Sequence, residues 1–179
     1  MAKKILFIGD SLIAQGDWQS YLPEFVIENI GVPGDSTEET LEKLDQIIQS
    51  GAELIVAEVG INDFGSKKYS KARVVENILG LATVIRKSLP DVAIIWNSLT
   101  PRSDDLFEVE EVNELIQGIF AELDIEYFDV FTHLRNSHNN RLQAEFISDP
   151  EGFANHLNSL GYEAWIAPLK PLIHAELSN

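Results

Sequence analysis

The chain contains no cysteine. Disulfides and thiolate metal sites are therefore excluded, and stability has to come from packing. Positive charge is scarce as well. Thirteen Lys and Arg stand against 29 Asp and Glu, a formal net charge of -16 at pH 7. Nucleic acid and anionic membranes would be repelled, so neither is expected as a main partner. No apolar run approaches the roughly 20 residues that cross a bilayer. Nothing matches G-x-G-x-x-G or the P-loop, so nucleotide binding has no support. The segment Gly9-Asp10-Ser11-Leu12-Ile13 lacks the second glycine of a G-x-S-x-G elbow, which disfavours the α/β-hydrolase class. The early apolar run Ile5-Leu6-Phe7-Ile8 is too short for a signal-peptide core. Read as the natural start, it implies a soluble, cytoplasmic protein without stable membrane insertion.

What is present has the character of a folded domain. The 179 residues are 45% hydrophobic and 23% charged, which suits one domain over 1–179. Short apolar runs alternate with longer helical periods, the pattern of βαβ units on a parallel sheet. Strands are expected at residues 4–8, 25–30, 54–59, 92–96 and 126–130. Ser36 and Glu39 are spaced as a capping box, followed by Leu41, Leu44 and Ile48 on one helix face. Val74, Ile78, Leu81 and Ile85 make a second stripe, and Val109, Val112, Ile116, Ile119 and Leu123 a third. Trp165, Leu169 and Leu172 make a last one, interrupted by Pro168 and Pro171. The fold class is α/β: a three-layer, flavodoxin-like arrangement of about five parallel strands flanked by helices.

In open sheets of this kind, ligands sit beyond the carboxyl ends of the strands. Three such ends are rich in glycine and small polar residues: Gly9-Asp10-Ser11-Leu12, Asn29-Ile30-Gly31-Val32-Pro33-Gly34-Asp35-Ser36, and Gly60-Ile61-Asn62-Asp63. Singly each is weak, since serine after a strand is most often a helix cap. Their recurrence at three successive strand ends is the signal.

These segments, with His156-Leu157-Asn158-Ser159-Leu160-Gly161-Tyr162, resemble the four blocks of the SGNH (GDSL) hydrolase family, in family order. Trp165, just after the last block, also fits. The resemblance implies an acetylesterase-like serine hydrolase acting on esters of short acyl groups, without a cofactor or metal. Its partner would be a small acyl-ester substrate; oligomeric state stays open. Ser11 would be the nucleophile and His156 the general base, because a serine hydroxyl needs a base to take its proton. The backbone N–H groups of Ser11 and Gly34 and the side-chain amide of Asn62 would form an oxyanion hole. Gly31 competes with Gly34 for that place.

The family's aspartate three positions before the histidine is Phe153 here. Phenylalanine cannot accept a hydrogen bond from imidazole. Asp149, or alternatively Glu151, could supply the acid if the loop makes an excursion, which Pro150 and Gly152 would favour. Otherwise the scaffold could be a non-catalytic or weakly active binding module. Asp10 and Asp63 are read as structural, with Asp63 placed to help orient Asn62. Asp17 and Trp18 are read as pocket-lining residues, with Trp18 fitting a plain core or surface aromatic equally well. His133, His138 and His174 are given no role.

Overall fold

The computed structural model describes residues 2–104, 108–152 and 155–178. Five strands, β1 (Lys4–Gly9), β2 (Val26–Asn29), β3 (Leu54–Glu58), β4 (Ala93–Asn97) and β5 (Glu126–Phe128), form one sheet. All neighbours pair in parallel, in the order β2-β1-β3-β4-β5. That order reverses between β1 and β3, so a crevice opens beyond their carboxyl ends. The fold is the flavodoxin-like one expected.

Between the strands run α1 (Ser11–Gln15), α2 (Trp18–Tyr21), α3 (Thr37–Glu42), α4 (Leu44–Gln49), α5 (Ile61–Gly65), α6 (Lys71–Ser88), α7 (Val109–Phe120), α8 (Val130–Leu134) and α9 (Ser159–Glu176). Strand alternation assigns them to two layers. Leu6, Ile8, Ile55, Ala57 and Trp96 face α4, α6 and α7. Ile5, Phe7, Leu54, Val56 and Ile95 face α1, α2, α8 and α9. Burial on both faces explains why the central strands read as continuous apolar runs.

Three helical readings are corrected. The stripe Leu41, Leu44 and Ile48 assumed one helix, but the chain breaks at Lys43 into α3 and α4. The break rotates the second piece, so Ile47 enters the core while Leu41 and Ile48 are exposed. On α7, Ile119 is exposed and the larger Phe120 takes the core position beside it. In α9 the prolines do not interrupt the helix, which runs unbroken for 18 residues. Pro168 and Pro171, and the residues four before them, lie on its half-buried or exposed side. Water can satisfy the carbonyls that the missing N–H groups leave open. Trp165, Leu169 and Ile173 bury the opposite side.

Strand β5 is shorter than its apolar run. The Asp129 carboxylate accepts from the Thr132 N–H at 3.1 Å and its hydroxyl at 2.6 Å, starting α8. Val130 is thereby the first residue of a helix.

Candidate active site

The turn after β1 carries Ser11. Gly9 makes it possible: a Cβ there would stand 2.0 Å from the Glu58 carbonyl oxygen of β3. Only glycine lets the two backbones approach so closely. Asp10 then caps α1, accepting the Leu12 N–H at 3.0 Å. Ser11 is the first helical residue, and its own N–H has no protein acceptor among the described residues. Beneath the turn, the Tyr162 hydroxyl donates to the Leu12 carbonyl at 2.7 Å. Trp18 stacks on Phe7, 4.6 Å between ring centroids, and its indole N–H donates to the Ile13 carbonyl at 2.8 Å. Trp18 is therefore core and not pocket wall. Asp17 caps α2 and lies outside the cavity as well. Both pocket-lining readings fall: α2 turns Trp18 inward against β1, and Asp17 stands exposed at the start of that helix.

His156 reaches Ser11 from the far end of the chain. Its Nε2 lies 3.2 Å from Ser11 Oγ. Its Nδ1 lies 2.9 Å from Asp149 Oδ2. Asp149 Oδ1 also accepts the His156 backbone N–H at 3.2 Å. The loop doubles back on itself to make this contact. Ile147 and Leu157 pair as an antiparallel bridge, and the Ser148 N–H donates to the His156 carbonyl at 2.9 Å. A turn follows, closed from the Gly152 N–H to the Asp149 carbonyl at 2.8 Å. Glu151 sits exposed in that turn, so Asp149 is the carboxylate that meets the histidine. Phe153 lies outside the described residues. Asn158 anchors the loop by capping α9 at the Gly161 N–H (3.1 Å) and donating to the Glu145 carbonyl at 2.7 Å.

Burial works against the charge of Asp149, but the bonds from the His156 ring and backbone outweigh it. The carboxyl is held below its ordinary value. It is thus an anion facing the ring nitrogen turned away from the serine.

Gly34 and Asn62 complete the crevice. Gly34 has φ +90°, in a turn closed by the Asp35 N–H on the Val32 carbonyl at 3.1 Å. Its N–H has no protein acceptor among the described residues. The Gly31 N–H, by contrast, donates to Asn29 Oδ1 at 3.0 Å and is occupied. Asn62 Nδ2 donates to the Asp35 carbonyl at 3.0 Å and stands 3.4 Å from Asp10 Oδ2. An amide has two hydrogens, so one is committed and the other has only this long approach.

Asp63 does not touch the Asn62 side chain. Its fully buried carboxylate accepts from the Thr37 N–H (2.9 Å), the Thr37 hydroxyl (2.5 Å) and Asn77 Nδ2 (3.1 Å). It ties α3 to α5, and through them the Gly34 turn to Asn62. The Ser36–Glu39 capping box is present, Glu39 Oε2 accepting the Ser36 N–H at 2.9 Å.

These residues border a cavity of about 420 Å³. Ser11, Gly34, Asn62 and His156 form its polar side, and Leu12, Pro33, Ile61 and Pro101 its apolar side. Thr100, Arg102 and Asn155 also reach it, and the sequence reading did not include them. The signal was available: Thr100 and Pro101 follow β4 at its carboxyl end, where the same topological rule applies. Asn155 bridges to that segment, accepting the Ser103 N–H at 2.9 Å.

Comparison with known proteins gives a consistent picture. The model of the GDSL-like Lipase/Acylhydrolase family matches residues 7–164. A platelet-activating factor acetylhydrolase IB subunit beta homolog from Drosophila melanogaster is 26% identical over 125 residues. That match covers 64% of this chain and 54% of the relative, about half its length. Among solved structures, a GDSL-like lipase from Bacteroides thetaiotaomicron superposes with a TM-score of 0.79 at 17% identity. The superposition covers 97% of this chain and 88% of that one. A member of the lipolytic protein G-D-S-L family from Veillonella parvula gives 0.76 at 20% identity, over 96% and 98%. At such identities the structural likeness speaks for the fold.

Proposed function

Because the chain belongs to the GDSL-like lipase/acylhydrolase family, we propose that it hydrolyses carboxylic esters of short acyl groups through an acyl-enzyme on Ser11. The observation that carries this reading is the run Ser11–His156–Asp149, with separations of 3.2 and 2.9 Å, at the edge of a cavity.

His156 Nε2 takes the Ser11 proton as Oγ attacks the ester carbonyl. The carbonyl oxygen becomes an oxyanion, stabilised by the N–H groups of Ser11 and Gly34 and the free amide hydrogen of Asn62. His156 returns the proton to the departing alcohol. Water then attacks the acyl-enzyme, with His156 as base again, and the acid leaves. Asp149 holds the ring in the tautomer with its proton on Nδ1 and stabilises the imidazolium. No step calls on a cofactor.

A short acyl group suits the small apolar wall, and the name of the Drosophila relative, an acetylhydrolase, agrees. The alternative of a non-catalytic module rests on Phe153; the Asp149 contact with His156 supports the catalytic reading over it. Among the described residues no helix is long and apolar enough to cross a membrane.

The test is a p-nitrophenyl ester series from acetyl to long acyl, with wild type and Ser11→Ala, alongside fluorophosphonate labelling. Hydrolysis favouring the shortest ester, lost in Ser11→Ala together with the label, is expected. Unchanged hydrolysis in that variant would sink the mechanism.

A further inference from the structure

Glu58 ends β3 and takes no part in the chemistry above. Its side chain is fully buried. Among the described residues it is the only carboxyl group with both oxygens buried and without a hydrogen-bond partner. The register pairs it with Gly9, the last residue of β1 before the nucleophile turn. An ionised carboxylate in such a place loses its hydration without compensation, so the group takes up a proton instead.

Asp10 is its neighbour and equally buried, but it has donors. Its Oδ1 accepts the Leu12 N–H at 3.0 Å, and its Oδ2 faces Asn62 Nδ2 at 3.4 Å. Two adjacent buried carboxyls do not both ionise. The one with donors carries the charge, and the one without carries the proton.

We propose that Glu58 is a positioning residue for ester hydrolysis: as a neutral acid beside the nucleophile turn, it leaves Asp10 free to be charged, and charged Asp10 holds the start of α1, with the Ser11 N–H, in working geometry. This rests on the hydrolase reading of the site.

The groups facing the pair come from every side. Burial, and then the charges of Glu58 and Asp10, raise the Tyr162 hydroxyl of α9. His156, when charged, favours the Asp10 anion, whereas Asp35 and Asp63 oppose it. The Thr100 N–H offsets a little of any charge on Glu58, without reaching hydrogen-bond geometry. Burial raises Asp10 to about 7. Burial, and then the Asp10 charge, push Glu58 well above the usual carboxylate range. As pH rises, Asp10 ionises first and Glu58 last. Once Glu58 ionises, the second charge drives Asp10 off its donors and the rate falls.

Glu58→Gln keeps the shape and removes the proton. The alkaline decline of the wild-type kcat/KM should disappear in this variant. Infrared difference spectra at mildly alkaline pH, above the value of about 7 to which burial raises Asp10, should show a protonated carboxylic-acid carbonyl band in wild type that is absent from Glu58→Gln. A residue that only fills space would leave the pH profile unmoved. The proposal is overturned if the band is missing, if the alkaline decline persists in the variant, or if the wild-type rate stays flat up to the pH of unfolding. The band reads Glu58 whether or not the protein hydrolyses esters. Failure of the hydrolase reading, seen in Ser11→Ala, is therefore a separate result.

Discussion

Asp149 touches His156 twice, at the ring Nδ1 (2.9 Å) and at the backbone N–H (3.2 Å), across seven positions of sequence. The backbone bond fixes the loop, and the side-chain bond fixes the ring that the loop carries. Disabling the aspartate of a serine-protease triad costs roughly 10⁴ in turnover. Asp149→Asn should therefore lower kcat by roughly 10³–10⁴-fold with little change in KM. Glu151→Gln should behave as wild type. A larger loss at Glu151 in ester-hydrolysis kinetics would refute the assignment.

Asn62→Ala should lower kcat by roughly 10²–10³-fold while leaving KM close to wild type, as expected for a donor that acts mainly on the oxyanion. Steady-state kinetics with the shortest active ester measure this. A rise in KM with unchanged kcat would mean that Asn62 only binds the ground state.

Asp10 makes stability depend on pH in a direction unusual for a carboxylate. Its ordinary value is 3.8 and burial lifts it to about 7 in the folded protein. Between those values the native state keeps a proton that the unfolded chain releases. Stability contributed at this site therefore falls as pH rises through the window and levels off above it. Asn cannot ionise and still caps a helix. Asp10→Asn should accordingly gain Tm relative to wild type on going from about pH 4 to about pH 8. It should lose activity at the same time, since it lacks the charge that faces Asn62. A Tm difference independent of pH would contradict this.

Asp63 accepts three hydrogen bonds while fully buried. Asp63→Ala leaves the Thr37 and Asn77 donors unsatisfied, at about 1–3 kcal/mol each if none finds water. Thermal melts should show a large loss of Tm. Thr37→Ser, which retains both Thr37 bonds, should be close to wild type in stability and rate. If Thr37→Ser were as damaging as Asp63→Ala, the hydroxyl and N–H bonds would not explain the role of this carboxylate.

Much of the architecture was legible in the residues because it follows from local periodicity. The central strands announce themselves as apolar runs between turn residues, and burial on both faces of a parallel sheet is the reason. The Ser36–Glu39 cap is a contact within one helical turn, so spacing alone reveals it. Periodicity failed where geometry departs from an ideal helix. The break at Lys43 exchanged Ile48 for Ile47, and on α7 the core accepted Phe120 in place of Ile119.

For the crevice around Ser11, the sequence by itself determined which residue types stand at the carboxyl ends of the strands: the serine, the glycine turn and the asparagine. Those are local facts of strand, turn and cap. Only the tertiary structure decided which of them meet. Asp149 rather than Glu151 reaches His156 because the Ile147–Leu157 bridge folds the loop back. Gly34 rather than Gly31 has an open N–H because Asn29 occupies the other. Trp18 is core because α2 turns it under β1. Glu58 is left without a hydrogen-bond partner among the described residues. Each outcome is a competition among acceptors and donors brought together from distant segments, and such a competition exists only once the chain is folded.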